Sequence, residues 1–439
     1  MPSFPTVRAT LLGFPLAATL LAPALVAPVV VSTATAPGAV AAVAAATPSA
    51  SAETTGRRIT YREWATGPQL AKGARQHTYV AKGAVRLRTG APVVSVGGQR
   101  WSAGSWTSPW TRPGYGLTEL VASWDATTPG NSWVRVEVRG KGGGATSSWD
   151  TLAEWTSGDA HRRRTTISGQ DDDLARVNVD TWVANRAEGL GAWQLRATLF
   201  RAAGAGGAVP TLDTVGAMVS RLPSDARVPV SAPGEARGRV LDVPSYSQMI
   251  HRGHHPQYGN GGEAWCSPTS ISMVLGYHRS LPGPRTTAWT SGPDPFVDHA
   301  ARMSYDYGYR GAGNWPFGTA YAAQHVANAF VTRLRSLREA EKFVVAGIPL
   351  VASIRFGSGQ LTGAPISSSN GHLLVIVGFT RSGDVVVNDP AASSNAGVRR
   401  TYDRAQFENA WIPKSGGLVY VVRDEKRLPG RVAGATRNW

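Results

Sequence analysis

Cys266 is the only cysteine of the chain, and it stands where a loop gives way to a predicted helix. Pro268 occupies a first-turn position and apolar residues then recur at helical spacing, which predicts a helix over residues 267–277. A thiol attacks a carbonyl carbon only as the thiolate, and the unpaired N–H groups at a helix N-terminus lower the pKa of a cysteine placed there. Cys266 is therefore the candidate nucleophile.

A cysteine nucleophile needs an imidazole beside it and a third group that orients the imidazole. His372 opens the apolar run 373–379, which predicts a strand that would hold its ring. Asp389 lies 389 − 372 = 17 residues further on, at the end of the next predicted strand. Two hairpin-linked strands bring the end of the second beside the start of the first. The pattern predicts a catalytic triad of Cys266, His372 and Asp389, with no metal ion and no organic cofactor.

Two other interpretations of these residues stay open. Cys266 could be a buried, inert core thiol, with the histidine and the aspartate placed by coincidence. A pseudo-enzyme that kept the fold without the activity would carry the same pattern. Labelling of the thiol by an iodoacetamide probe at mildly acidic pH separates an activated cysteine from an ordinary one.

The elements that must position these residues follow an α+β order, with helices first and a sheet after them. The helices are predicted from helical periodicity, and the strands from apolar, β-branched runs bounded by Gly, Asn or Pro. The predicted helices cover residues 267–277, 295–306, 316–330 and 336–346, and the predicted strands cover 350–356, 372–380, 384–388 and 417–423.

The preceding region, from about residue 59 to 201, contains many short alternating segments separated by turn residues, which predicts an all-β sandwich or jelly roll. Residues 211–222 fit either a last strand or a short helix. Tryptophans in a sandwich more often fill the core than form a sugar-stacking platform. Six tryptophans allow either interpretation: Trp106, Trp110, Trp124, Trp133, Trp149 and Trp155.

The N-terminus reads as a secretory signal, because Arg8 precedes an uncharged run over residues 9–31 and small residues follow up to position 52. A membrane anchor is the alternative, since that run is long enough to span a bilayer. We predict a cleaved signal peptide over 1–52, a β-sandwich accessory domain over 57–222, a linker over 224–238 and a papain-like peptidase domain over 239–425.

From about residue 239 to 423 the chain resembles papain-like cysteine peptidases of the bacteriocin-processing type, cysteine peptidase family thirty-nine, and especially their stand-alone exported relatives. The resemblance lies in four segments in this order: 243–248 (VPSYSQ), 265–270 (WCSPTS), 371–372 (GH) and 388–390 (NDP). The N-terminal region resembles jelly-roll, carbohydrate-binding-like modules in its strand pattern and its tryptophan placement.

The resemblance implies that Gln248 is the oxyanion-hole donor, sharing that task with the backbone N–H of Cys266. The chain departs from the family at Ser267, where glycine is common, and in the long insertion 251–264. Gln257, inside that insertion, is the alternative donor.

The insertion also carries three histidines, which we interpret as surface residues of a flexible loop, because no ligand set of usual metal-site spacing accompanies them. They are His251, His254 and His255. Residues 314–316 and the aromatics near them could line the substrate groove or pack the helical region. Those aromatics are Tyr305, Tyr307, Tyr309 and Phe317.

The sequence therefore predicts an exported cysteine peptidase that acts on a peptide or protein substrate. The formal net charge of +16 would suit an anionic cell-wall polymer as a second partner, and no nucleic-acid-binding motif is present. After signal cleavage the chain should not be an integral membrane protein. Two alternatives are a hydrolase of cell-wall peptide cross-links and a non-catalytic surface-binding protein on a peptidase-like scaffold.

Overall fold

A computed structural model describes residues 56–224 and 227–439, which belong to one compact unit. The predicted signal peptide or anchor over residues 1–52 lies outside these described residues. Within them, no helix combines the length and the apolar character needed to cross a membrane.

Residues 58–221 are built almost entirely of strands, with one short helix, α1 (Gly67–Leu70), near the start. The strands are β1 (Arg58–Trp64), β2 (Ala74–Gln76), β3 (Thr78–Ala81), β4 (Ala84–Leu87), β5 (Val93–Val96), β6 (Gln99–Thr107), β7 (Glu119–Thr127), β8 (Ser132–Gly142), β9 (Ala145–Thr146), β10 (Asp150–Trp155), β11 (Ala175–Asn178), β12 (Thr181–Ala184), β13 (Ala192–Ala202) and β14 (Thr211–Arg221).

In this described region the strands form two antiparallel seven-stranded sheets. One sheet has the order β11-β12-β7-β14-β4-β3, with β1 added beside β14. The other has the order β10-β8-β13-β6-β2, with β5 beside β6 and β9 beside β8. The predicted sandwich class is confirmed, and of the two possibilities left for residues 211–222 the strand is the one observed, as β14.

The tryptophans of the sandwich mostly fill its core. Trp106, Trp124, Trp133 and Trp155 are at most 1% exposed, whereas Trp110 and Trp149 are half-buried. Several buried rings contact other aromatic rings edge-on, as Trp124 contacts Trp155 at a centroid distance of 6.1 Å, whereas Trp133 stacks on Phe200 at 3.9 Å. For these four residues the core interpretation therefore holds rather than the sugar-stacking one.

The second half combines helices with one antiparallel sheet. The helices are α2 (Cys266–Tyr277), α3 (Pro284–Thr287), α4 (Pro295–Ser304), α5 (Trp315–Ala323), α6 (Leu337–Val345) and α7 (Arg404–Ser415). The strands are β15 (Asn328–Arg333), β16 (Leu350–Phe356), β17 (Ser369–Phe379), β18 (Val385–Asn388), β19 (Arg399–Tyr402) and β20 (Leu418–Arg423), in the sheet order β15-β20-β16-β17-β18-β19. The predicted α+β class is confirmed.

The predicted helix over 316–330 is wrong in its second half, because α5 ends at Ala323 and β15 begins at Asn328. The stretch from Ala329 to Thr332 is buried, and it pairs with β20 along its whole length. A long-range strand pairing therefore overrides the local helical pattern. The elements α7 and β19 were not predicted.

The two halves share one hydrophobic core in the described part of the chain. Phe317 of α5 packs against Trp124 and Trp155 of the sandwich, at centroid distances of 6.1 and 5.4 Å. The described part of the predicted linker, residues 227–238, packs on the second half, where the N–H of Ser231 donates to Glu408 at 2.7 Å. The sandwich is thus packed directly against the α+β half.

Candidate active site

Cys266 is the first residue of α2, and its side chain is half-buried. The residue before it, Trp265, is fully buried and its indole N–H donates to the carbonyl of Tyr258 at 2.8 Å. One turn along the helix, the Ser270 hydroxyl donates to the carbonyl of Leu373 at 3.2 Å. This bond ties α2 to β17 beside His372, so the helix end and the strand start are held together.

His372 lies near the start of β17 and is 3% exposed. Its Nε2 atom lies 2.8 Å from Oδ1 of Asp389, and its ring is close enough to the thiol of Cys266 for each group to shift the pKa of the other. Asp389 follows β18 directly, where Asn388 pairs with Val375, three residues past His372. The hairpin register brings the strand end beside the strand start, as the sequence predicts.

The carboxylate of Asp389 is fully buried and has partners on both oxygens. Oδ1 also accepts the N–H of Ala391 at 3.0 Å, and Oδ2 accepts the hydroxyl of Tyr402 at 2.7 Å. Sequence reasoning missed Tyr402, because it lies on the unpredicted strand β19. Its only local signal is a tyrosine at the end of a short alternating run, which is too weak to single out.

The electrostatics favour a charged pair between the thiol and the imidazole. Burial by itself would raise the pKa of Cys266, but the hydrogen bond and the charge of His372, with backbone N–H bonds, bring it below its ordinary value. Burial would lower the pKa of His372, yet the Asp389 charge and hydrogen bond, joined by Cys266, raise it to about 10. The arrangement can therefore hold a thiolate beside an imidazolium at neutral pH.

Gln248 is buried and sits between the segments that carry the cysteine and the aspartate. Its backbone N–H donates to the carbonyl of Pro390, and its Nε2 donates to the carbonyl of Gly262, both at 2.8 Å. Nε2 carries a second hydrogen, so the side chain keeps one donor beyond this bond. Gln257, the alternative donor, is exposed in the short 3₁₀ turn Pro256–Tyr258.

The insertion before Cys266 folds back on itself through three 3₁₀ turns, Met249–His251, Pro256–Tyr258 and Gly262–Ala264. Gly261 has φ +59°, and a Cβ at this position would lie 1.8 Å from the carbonyl oxygen of His251. Only glycine fits that close approach. The chain continues from this turn into Trp265 and Cys266.

The interpretation of the insertion histidines as surface residues is wrong for His251, whereas His254 and His255 are partly exposed. His251 is fully buried, and its Nδ1 lies 3.1 Å from Oδ1 of Asp298, an oxygen that Nδ1 of His254 approaches to 3.2 Å. Thr290 donates to the other oxygen of Asp298 and also contacts His255. The sequence signal was hidden, because Asp298 lies more than forty residues from His251 and His254.

The Nδ1 atoms of His251 and His254 and a carboxylate oxygen of Asp298 lie within 4.8 Å of one another, so the cluster could hold a metal ion. A metal-bound histidine usually donates its second ring N–H to an acceptor. Nε2 of His251 is buried and has no hydrogen-bond partner among the described residues. The cluster therefore fits a hydrogen-bonded brace behind Trp265 better than it fits a metal centre.

A cavity of about 650 Å³ opens beside Cys266. The second half supplies most of its lining, including Tyr309, Trp315 and Gly371, while the sandwich supplies the turn at residues 178–180. Of the aromatics with two possible roles, Tyr309 lines this cavity and is 52% exposed, whereas Phe317 is buried in the core. Cys266 thus lines a cleft to which both halves of the described chain contribute.

A helix-borne cysteine beside a histidine on an antiparallel sheet, in a domain of α+β order, defines a papain-like cysteine peptidase fold. Comparison with protein families agrees with that class. Residues 240–418 match the Peptidase_C39 like family, and residues 60–220 match the Peptidase C39 N-terminal domain. Together the two matches support a cysteine peptidase of the C39 type. No curated protein matches the chain.

Proposed function

We propose that this protein hydrolyses a peptide bond through a Cys266–His372–Asp389 triad. The observation that carries the proposal is the chain of neighbouring side chains in which Nε2 of His372 is hydrogen-bonded to Asp389 and the His372 ring interacts with the Cys266 thiol. That chain supplies a nucleophile, a proton carrier and an orienting carboxylate in one contiguous arrangement.

In the first step the Cys266 thiolate attacks the carbonyl carbon of the substrate, forming a C–S bond and placing negative charge on the oxygen. The tetrahedral intermediate collapses when the C–N bond breaks, and the imidazolium of His372 gives its proton to the leaving amine. A thioester remains on the enzyme. The carboxylate of Asp389 orients the His372 ring. The ring nitrogen that faces the thiol carries the proton, and in this orientation it can reach the leaving amine.

In the second step neutral His372 takes a proton from water, which attacks the thioester carbonyl. The C–S bond breaks, the peptide acid leaves, and the thiolate–imidazolium pair is restored. The overall reaction consumes one water molecule and needs no oxidant or reductant.

Gln248 is the side chain we assign to the oxyanion, with the backbone N–H of Cys266. The Gln248 amide is 2% exposed, and its bond to Gly262 fixes its orientation. A neutral donor held in place before substrate arrives stabilises the developing charge without reorganisation.

The function is tested by incubating the protein with a peptide library and sequencing the products, with Cys266→Ala as the matched variant. We expect cleavage by the wild type and none by Cys266→Ala, which should still fold because a half-buried thiol contributes little packing. Iodoacetamide should label the wild type at about pH 6, where an ordinary thiol is protonated. Equal turnover by both proteins would overturn the proposal.

We also propose that the protein is exported and that residues 1–52 are removed. The support is the uncharged run 9–31 with small residues after it. Intact-mass analysis of the protein from culture medium should give a chain that begins near residue 53. A membrane-bound chain with the leader retained would contradict this.

A further inference from the structure

The cleft beside Cys266 is not built by the α+β half alone. Asn178, Val179 and Asp180, at the turn between β11 and β12 of the sandwich, line the same cavity as Cys266. The register pairs Asn178 with Thr181, so Val179 and Asp180 form a two-residue hairpin turn. The tip of this hairpin therefore faces the space that a substrate of Cys266 would occupy.

The turn has an unfavourable backbone conformation. Val179 has φ +54°, in the left-handed region that a β-branched residue rarely adopts. Such conformations persist where surrounding contacts impose them, and they concentrate at ligand-binding positions. Here a fixing contact is visible, because a carboxylate oxygen of Asp180 accepts the backbone N–H of Trp315 at 3.4 Å. Trp315 begins α5 and lines the same cavity.

A second contact from the sandwich fixes another part of the cleft lining. The carboxylate of Asp306 accepts the backbone N–H of Thr166 at 3.0 Å and its hydroxyl at 2.9 Å. Arg164, which is fully buried, donates to the carbonyl of Arg302 at 2.7 Å. The residues that follow Asp306, from 309 to 313, line the cavity. The sandwich thus supplies one part of the lining and holds another part in place.

A further cavity of about 520 Å³ extends the cleft along the same hairpin. Asn178, Asp180 and Trp315 line both cavities, and Thr181 lines the second. The cleft therefore continues along the hairpin beyond the cavity at Cys266.

We infer that the β-sandwich half is part of the substrate-binding machinery, and that Asn178 and Val179 contact an extended polypeptide beside the bond attacked by Cys266. This inference rests on the proposed function. In this arrangement the side chains at the hairpin tip contact the peptide, and the sandwich thereby selects among extended peptide substrates.

The test compares two alkylating reagents that react with Cys266, iodoacetamide and a tripeptidyl chloromethyl ketone. Only the second is large enough to reach the hairpin while its reactive carbon meets the thiol. The variants are Asn178→Ala and Val179→Gly. The matched control is Lys82→Gly, because Lys82 also has positive φ (+52°) at a hairpin turn of the same sheet and does not line the cavity at Cys266.

We expect the ratio of the two alkylation rates to change about tenfold in a hairpin variant, the size of effect produced by one lost side-chain contact in a binding pocket. The ratio should keep its wild-type value in Lys82→Gly, and the iodoacetamide rate should be the same in all four proteins. A wild-type ratio in both hairpin variants would overturn the inference. Turnover is not needed for this measurement, so wild-type protein that reacts but cleaves no peptide would contradict the proposed function alone.

Discussion

The hydroxyl of Tyr402 donates a 2.7 Å hydrogen bond to Oδ2 of Asp389, whose Oδ1 lies 2.8 Å from Nε2 of His372. Tyr402 and Asp389 are both fully buried. Burial and the adjacent carboxylate raise the pKa of Tyr402 far above its ordinary value, so its hydroxyl remains a donor at every pH at which the protein is folded. The orientation of the carboxylate is thus set from the side opposite the histidine.

We predict that Tyr402→Phe lowers kcat with little change in KM. A hydrogen bond to a charged group is worth about 1.5–3 kcal/mol, so a loss of about tenfold to a hundredfold in kcat is expected when the carboxylate is less firmly held. Steady-state kinetics on a cleaved peptide checks this. Tyr321→Phe is the matched control, because the buried hydroxyl of Tyr321 has no hydrogen-bond partner among the described residues. Equal kcat values for Tyr402→Phe and Tyr321→Phe would show that Tyr402 does not contribute to the active site.

We predict that Asp389→Asn narrows the pH range of activity and leaves more activity than His372→Ala. The carboxylate raises the pKa of His372, so a neutral amide lets the imidazolium lose its proton at lower pH, and the alkaline limb moves down. A less stable imidazolium also makes the thiolate of Cys266 harder to form, so the acidic limb moves up. The measurement is kcat/KM against pH for both variants. If folded Asp389→Asn were as inactive as His372→Ala, the aspartate would have another role.

We predict that Thr166→Val raises KM several-fold and lowers the free energy of unfolding by about 1.5 kcal/mol, because it removes a donor from the buried carboxylate of Asp306. Thr165→Val is the matched control, since the Thr165 hydroxyl donates only within its own segment, to the carbonyl of Thr166. Peptide kinetics and urea denaturation are the measurements. A KM that stays at the wild-type value in Thr166→Val would show that this contact does not shape the cleft.

We predict that Asp298 stabilises the fold at neutral pH and loses that effect in acid. Burial would raise the pKa of Asp298, but hydrogen bonds from His251, Thr290 and His254 bring it below its ordinary value. A carboxyl with a depressed pKa adds stability above its unfolded value of about 3.9, and the stability is lost as the pH falls through the folded pKa. The gap in unfolding free energy between wild type and Asp298→Asn should therefore shrink below about pH 4. Asp172→Asn, at an exposed position, serves as the control. If the difference in unfolding free energy between wild type and Asp298→Asn did not depend on pH, the predicted link between Asp298 ionisation and stability would be wrong.

We predict that dialysis against EDTA changes neither Tm nor kcat/KM, because no step of the proposed reaction uses a metal and the histidine cluster fits a hydrogen-bonded brace. Differential scanning calorimetry before and after dialysis measures Tm, and steady-state kinetics on a cleaved peptide measures kcat/KM. A fall in Tm that added zinc restores in wild type, and fails to restore in His254→Ala, would make His251, His254 and Asp298 a metal site. Using Cys266→Ala as the background excludes zinc binding at the thiol.

Local pattern was sufficient for the elements that carry the proposed chemistry. Pro268 and the helical spacing after it predicted α2 to within one residue, and the apolar runs around His372 and Asp389 predicted β17 and β18. Hairpin geometry then predicted that the two side chains lie close together, because a short connection favours antiparallel pairing of consecutive strands and the buried face favours one register. These parts depend on contacts that are close in sequence.

Long-range packing decided the positions of Tyr402, Asp298 and the turn at Val179. No pattern of neighbouring residues in the sequence predicts these positions. Tyr402 reaches Asp389 only because β19 pairs with β18, and Asp298 meets His251 from 47 residues away. The turn at Val179 likewise lines the cleft at Cys266 only because the sandwich docks on the α+β half through a shared core. Docking is set by the shape and polarity of surfaces assembled from many segments, so a linear pattern of residue types does not specify it.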